Sequence, residues 1–211
     1  MRGLAAEREW FARGVLRLAG VDEAGRGPLA GPVVAAAVLV TPETPRLVGV
    51  KDSKQLSRRR REHLAAAIVS TLPFGVGAAS VREIDRLNIR RATALAMRRA
   101  VLRLSVAPDL VLVDGLPMPE LGMPHEALVG GDRRAYAIAC ASIVAKTVRD
   151  ALMRRLALRY PEFLWDRNAG YGTPQHLEAL GRCGPTRHHR MSFGPVAQVS
   201  LLQVSGARCR V

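Results

Sequence analysis

The sequence predicts an α/β fold: a mixed five-stranded sheet flanked by helices, with a small helical part at the C-terminus. Three observations predict it. Five short apolar or alternating segments, near residues 18–21, 33–40, 74–78, 110–113 and 127–129, have strand character. Three of these come early, and strands and helical stretches then alternate, which is the order of a mixed sheet. With 48% apolar and 24% charged residues over 211 positions, the chain can bury a core of that size.

Taken in order, the first dozen residues read as a short helical extension. Leu16, Leu18 and Val21 alternate with Arg17 and Gly20 as a strand that runs into Asp22. Val33 to Val40 is β-branched and small, a buried strand. Ser57 is a suitable N-cap for a helix through about Ser70. Phe74, Val76 and Ala78 form a third strand. Glu83 to Leu104 reads as one helix, with Leu95 and Leu102 on one face and Arg91, Arg98 and Arg99 on the other. Leu110 to Val113 is a strand ending on Asp114, and Ala127 to Val129 another, ending just before Asp132. From near Ala141 a helix places Val144, Val148, Leu152 and Leu156 on one stripe, with Arg149, Arg154, Arg155 and Arg159 facing away. The Gly/Pro-rich segment from Asn168 to Pro174 divides off the C-terminal appendage, and the tail beyond Gly194 carries no strong pattern.

Charge narrows the partners. The chain carries 32 Lys and Arg against 18 Asp and Glu, a formal charge of +14. Nucleic acid is the commonest counterpart of such a field. The longest apolar run, Pro28 to Val40, is too short to span a bilayer and is broken by two prolines and a glycine. Glu7, Arg8 and Glu9 stand where a signal peptide needs an apolar core. Cys140, Cys183 and Cys209 are odd in number and widely spaced, so a disulfide framework and a thiolate zinc site are not expected, and a reducing cytosol fits.

The chemistry concentrates in carboxylates at strand ends. Asp22 and Glu23 close one strand before the glycine-bracketed turn Gly25-Arg26-Gly27; Asp114 closes another beside Gly115, and Asp132 follows Gly130 and Gly131. Side chains alternate along a strand, so adjacent Asp22 and Glu23 cannot both face the core; one points into a cleft and the other contributes from the bend. An isolated aspartate usually caps a turn or pairs with an arginine. Four at strand ends would repel one another, and hard divalent cations relieve that repulsion, with oxygen-only donors selecting Mg²⁺ or Mn²⁺ over Zn²⁺. A pair of such ions is a device for phosphodiester cleavage.

The segment VDEAGRGPLAGPVVAAAV (21–38) resembles the opening signature of bacterial ribonuclease HII, of the type 2 ribonuclease H family. KDSKQLS (51–57), EIDRLNI (83–89), LVDG (112–115), GGD (130–132), ASIVAKTVRD (141–150), GYGTPQHLEAL (170–180) and HHRMSFGPV (188–196) resemble that family's later segments in order and spacing. The resemblance implies a ribonuclease H-like fold in a single catalytic domain over 1–211. Its family-like core covers about 16–196, between a short extension (1–15) and a tail (197–211) expected to be disordered. It implies hydrolysis of RNA in RNA–DNA hybrids and cutting 5′ of a single ribonucleotide in duplex DNA. Carried over by position, Asp22, Glu23, Asp114 and Asp132 become the metal-binding catalytic set. Asp22 and Asp114 would bind or bridge two Mg²⁺ or Mn²⁺ ions, and Glu23 and Asp132 would complete one shell each. Gly25, Arg26 and Gly27 resemble the sensor of the ribose 2′-hydroxyl, and Tyr171 the tyrosine that stacks on the following deoxyribose. Ser53, Lys54 and Asn88 are candidate phosphate contacts. The implied protein is a cytoplasmic monomer without membrane contact, acting in ribonucleotide and RNA primer removal; the sequence identifies no protein partner.

Three positions depart from the family pattern: Gly130 where a lysine commonly stands, Cys140 for alanine, and the order Thr147-Val148 after Lys146. Asp150, four residues from Lys146 and from Arg154, reads as a surface ion-pair partner and not as a fifth ligand. His188 and His189, beside Arg187 and Arg190, read as a solvated basic loop. Trp10, Phe163 and Trp165 read as packing residues, and Arg58 to Arg61 as a solvated face or a backbone-tracking patch. Two alternatives stay open at this level: a ribonuclease H-like nuclease specific for DNA, and a basic nucleic-acid-binding protein without activity.

Overall fold

The computed structural model describes residues 5–50, 53 and 56–204. The elements run α1 (Ala5–Ala12), β1 (Leu18–Ala24), β2 (Val33–Val40), α2 (Arg58–Thr71), β3 (Phe74–Ala79), α3 (Val81–Leu87), α4 (Ile89–Val101), β4 (Leu110–Asp114), β5 (Glu126–Leu128), α5 (Tyr136–Ala157), α6 (Trp165–Asn168), α7 (Pro174–Cys183) and α8 (Gly194–Val204). The five strands form one sheet in the order β3-β2-β1-β4-β5. β1 pairs antiparallel with β2, and β2 with β3, while β4 runs parallel to β1 and β5 parallel to β4. The mixed sheet expected from the sequence is present.

β2 is buried along its whole length because both sheet faces are covered. Ala36, Val38 and Val40 pack with α2 and α5, and the alternate residues Val33, Ala35 and Ala37 pack under α4. The period of two that marks a strand here sorts residues between two cores. A third cluster joins Met153 and Ala157 of α5 to Phe163, Trp165, Leu180 and Val196, which docks the C-terminal helices.

Three expectations change. The stretch from Glu83 to Leu104 is two helices, because Asn88 takes φ 68° and its side chain accepts from the Arg91 amide (3.1 Å) to start α4. α5 begins at Tyr136, before Ala141. Tyr136 to Ala145 is buried on every side, so it offers no amphipathic period to read. α5 has no side-chain cap of its own; the buried Glu7 of α1 accepts from the Ala137 amide instead (2.9 Å). The chain beyond Gly194 is helical to Val204, anchored by buried Val196.

Candidate active site

Two parallel strands set the site. Val21 pairs with Val113, so Asp22 and Asp114 follow side by side at the C-terminal ends of β1 and β4. By alternation both lie on the α5 face, with Leu18 and Leu112. Glu23 has the opposite parity and reaches the same cleft from the strand end. The three carboxylates line one cavity of about 380 Å³, together with Gly25, Arg26, Gly27, Ser53 and Tyr171.

Asp114 Oδ1 accepts from the Gly131 amide (2.7 Å), which ties β4 to the short 3₁₀ turn Gly131–Arg133. Asp132 is buried in that turn, 3.9 Å from Arg133 Nε, and does not line the cavity. Asp22 Oδ1 accepts from the Glu23 amide (2.7 Å), and a hydroxyl pair, Ser53 Oγ and Ser142 Oγ (2.9 Å), stands beside it. Burial first, then repulsion from Glu23, raises Asp22 well above the usual carboxylate range, with a hydrogen bond from Ser142 acting the other way. Burial also raises Glu23, against the opposing pull of Arg26 (3.2 Å). Among the described residues, no three His, Cys, Asp or Glu side chains are already gathered closely enough to hold a metal ion. The donors are nevertheless oxygen-only, crowded and under-neutralised, and that chemistry fits a hard divalent cation.

The loop after β1 is held from beneath by two buried arginines. Arg149 donates to the carbonyls of Pro32 (3.0 Å), Ala169 (2.9 Å) and Ala30 (3.1 Å). Arg190 donates to Gly31 (3.0 and 2.9 Å), Arg26 (2.8 Å) and Gly25 (2.5 Å). Burial lowers their guanidinium groups to about 10 and about 9. Both stay charged at neutral pH and fix the backbone of residues 25–32 by its carbonyls. Gly25 sits at φ 95° directly against Arg149.

Tyr171, half exposed, faces Gly27 across the cavity. Its carbonyl receives His176 Nδ1 (2.8 Å), while His176 Nε2 accepts from Trp165 Nε1 (3.1 Å) and meets His189 Nε2 (3.1 Å). His189 Nδ1 accepts from the Thr186 amide (3.0 Å). These partners assign neutral tautomers, His176 protonated at Nδ1 and His189 at Nε2. Burial lowers both, His189 to about 4.

Several sequence expectations shift here. Arg149 does not face away from the core. The fully buried stripe of α5 is Ala145, Arg149, Met153 and Ala157, one residue over from the stripe of larger aliphatics. His189 and Arg190 are buried, not part of a solvated loop; no sequence pattern separated them from Arg187 and His188. Asp150 pairs with Lys146 (2.6 Å) as expected, but its second partner is Arg61 (3.0 Å), because Arg154 turns to Glu62 (3.0 Å). The run Arg58 to Arg61 is therefore divided, with Arg61 drawn inward. Asn88 caps a helix outside the cavity, Ser53 lines it, and Lys54 lies outside the described residues. Phe163 and Trp165 pack in the core, stacked at 5.2 Å, and Trp10 donates to Glu126 (2.9 Å).

Comparison with known proteins decides the family. The family model for ribonuclease HII matches residues 19–196. This chain belongs to the ribonuclease HII family. It is 56% identical over 185 residues to the ribonuclease HII of Paramagnetospirillum magneticum, covering 86% of this chain and 92% of that one. It is 54% identical to that of Sphingopyxis alaskensis over 193 residues, covering 92% and 96%. Among solved structures, ribonuclease H2 from Pyrococcus horikoshii superposes with a TM-score of 0.76 at 27% identity, covering 88% and 98%. A structure of the PCNA–RNase HII complex from Archaeoglobus fulgidus matches at 0.72 and 30%, covering 85% and 96%. Bst-RNase HIII in complex with Mn²⁺, at 23% identity and 0.71, shares the fold, covering 92% and 71%. As a ribonuclease HII-family member the protein is a ribonuclease H, an endonuclease on RNA in RNA–DNA hybrids that uses divalent metal. Among the described residues, no helix is long and apolar enough to cross a membrane.

Proposed function

We propose that this enzyme cuts duplex DNA on the 5′ side of a single embedded ribonucleotide, as well as the RNA strand of hybrids, leaving 5′-phosphate and 3′-hydroxyl ends. One observation carries the reading: the carboxylates and the candidate sugar readers share one cavity. Asp22, Glu23 and Asp114 form one part of its wall, and Gly25, Gly27 and Tyr171 another.

Asp22, Glu23, Asp114 and, from the adjoining turn, Asp132 would hold two divalent ions, Mg²⁺ or Mn²⁺. Such ions, when bound, activate water and stabilise the leaving oxygen of a phosphodiester. The chain's own contribution is placement. Gly27, open toward Tyr171, leaves room for a ribose to approach the backbone closely, where the 2′-hydroxyl separates RNA from DNA, while Gly25 lets the same turn close over Arg149. Arg149 and Arg190 engage the carbonyls of this loop and so keep its shape when a sugar arrives. Tyr171 offers an aromatic face to the next sugar, Arg26 remains with Glu23, and Ser53 is a candidate phosphate contact. A cytoplasmic monomer that removes misplaced ribonucleotides and RNA primers fits this chemistry.

The test is a labelled duplex with one ribonucleotide, incubated with Mg²⁺, with Mn²⁺ or with EDTA. A single cut 5′ of the ribonucleotide is expected, absent with EDTA and absent on all-DNA duplex. Asp114→Asn is expected to abolish turnover while duplex binding persists. Cleavage of the all-DNA control would instead support a DNA nuclease, and metal-independent binding without cleavage a binding protein.

A further inference from the structure

The catalytic rim of the sheet carries a second cavity. β3 runs antiparallel to β2, and β2 to β1, so β3 ends at Ala79 on the same rim as Asp22, and α3 starts there. Between the start of α3, the C-terminal half of α5 and the turn at Arg187 lies a cleft of about 750 Å³. Leu152, Leu156 and Pro32 give it apolar walls. Arg82, Arg155, Arg159 and Arg187 surround it, all exposed, and among the described residues none is paired with an acid.

The acids of α3 are committed elsewhere. Glu83 holds Arg99 (2.7 Å), and Asp85 accepts from the amides of Met191 (3.1 Å) and Ser192 (2.9 Å). Nothing described in the cleft neutralises the quartet. Pro32 connects the two cavities: it lines this one, and its carbonyl is held by Arg149, which lines the catalytic one.

Distance makes the arrangement specific. β3 lies two strand spacings from β1, about 10 Å. Along α5, the ten residues from Arg149 to Arg159 span about 15 Å. At about 3.4 Å per base pair, the cleft stands roughly three to five base pairs from a phosphate held at the carboxylates.

We propose that this cleft grips the phosphate backbone of the duplex flanking the cut, about four base pairs away, so that the arginine quartet extends the substrate site. The inference rests on the nuclease reading. A duplex backbone is favoured over an acidic protein segment because the cleft continues the rim at which a polyanion must already lie, and sugar faces suit the leucine walls.

The experiment measures KM on single-ribonucleotide duplexes in which one flank is cut to three base pairs while the other stays at twelve, for each side in turn. Wild-type enzyme is expected to lose affinity about tenfold when the flank over the cleft is shortened, from the usual worth of two or more exposed charge contacts. Arg155→Ala/Arg159→Ala is expected to erase that length dependence and to reduce the slope of log affinity against log salt by about two. Arg8→Ala/Arg13→Ala removes the same charge at the N-terminal helix and should keep the length dependence. Thermal melting of each variant reports folding. Retained length dependence in Arg155→Ala/Arg159→Ala, or its equal loss in the control, overturns the proposal. A double variant identical to wild type on every flank also overturns it and leaves an acidic protein segment as the occupant. Failure of wild type to cut any of these duplexes would instead sink the nuclease reading.

Discussion

Gly25 and Gly27 flank one arginine, yet the structure gives them opposite sensitivities. A Cβ on Gly25 would fall 1.9 Å from Arg149 Nε and 2.4 Å from its Cδ, on a backbone at φ 95°. Arg149 cannot step aside freely, because it is fully buried and tied to three carbonyls at 2.9–3.1 Å. Gly25→Ala therefore adds backbone strain of about 1–2 kcal/mol to the loss of at least one charge-assisted hydrogen bond, about 1–3 kcal/mol. The sum is about 2–5 kcal/mol, a fall of roughly 10 °C in melting temperature for a protein of this size. A Cβ on Gly27 would meet only Tyr171 Cε1, at 3.5 Å, an ordinary contact. Gly27→Ala is expected to change stability by less than about 1 kcal/mol. It should raise KM for a ribonucleotide-containing duplex, since the added methyl narrows the gap to Tyr171. Urea unfolding and steady-state cleavage of the two variants test this. If Gly25→Ala melts within about 3 °C of wild type, Arg149 is not pinned as described and the reasoning fails.

Three further outcomes are expected. His189 has a folded-state value near 4 against 6.5 when free, lowered by burial and then by His176 and His188, so the folded state binds fewer protons at acid pH. Stability is then complete above about pH 6.5 and falls by about 3 kcal/mol as pH drops toward 4. Denaturant unfolding across that window should show a slope that His189→Asn reduces; an unchanged slope counts against His189 being held neutral by burial. Asp22→Asn, free of metal, should melt higher than wild type because the cost of burying a carboxylate, and its repulsion with Glu23, is removed, and should lose most of the stabilisation by Mg²⁺ or Mn²⁺. In wild type that stabilisation is about 2.7 kcal/mol at a hundredfold excess over Kd, read by thermal shift. Arg190→Met leaves the carbonyls of Gly25, Arg26 and Gly31 without their donor; preference for a ribonucleotide over a deoxyribonucleotide should fall more than kcat on RNA–DNA hybrid. Equal losses in both would mean that the loop keeps its shape without Arg190.

Local rules in the sequence were sufficient for much of this protein. Val33–Val40 is a strand with the expected bounds because eight consecutive apolar residues, all but Leu39 small or β-branched, suit a doubly covered position. Ser57 caps α2 because a hydroxyl before a helical run meets the free amide of Arg60. Asp22, Glu23 and Asp114 announced themselves as carboxylates at strand ends, and the parallel pairing of β1 with β4 brings Asp22 and Asp114 together. Tertiary structure alone decided the rest. Arg149 and Arg190 look like their solvated neighbours in one dimension. They are buried because backbone carbonyls of residues 25–32, remote from both in sequence, turn to meet their guanidinium groups. Asn88 divides a helical pattern because a positive φ costs little for an asparagine whose side chain can cap the next helix. Periodicity reports which face of an element is apolar. Which polar side chain enters a core depends on the acceptors that distant segments bring to it, and that is settled only when the chain has folded.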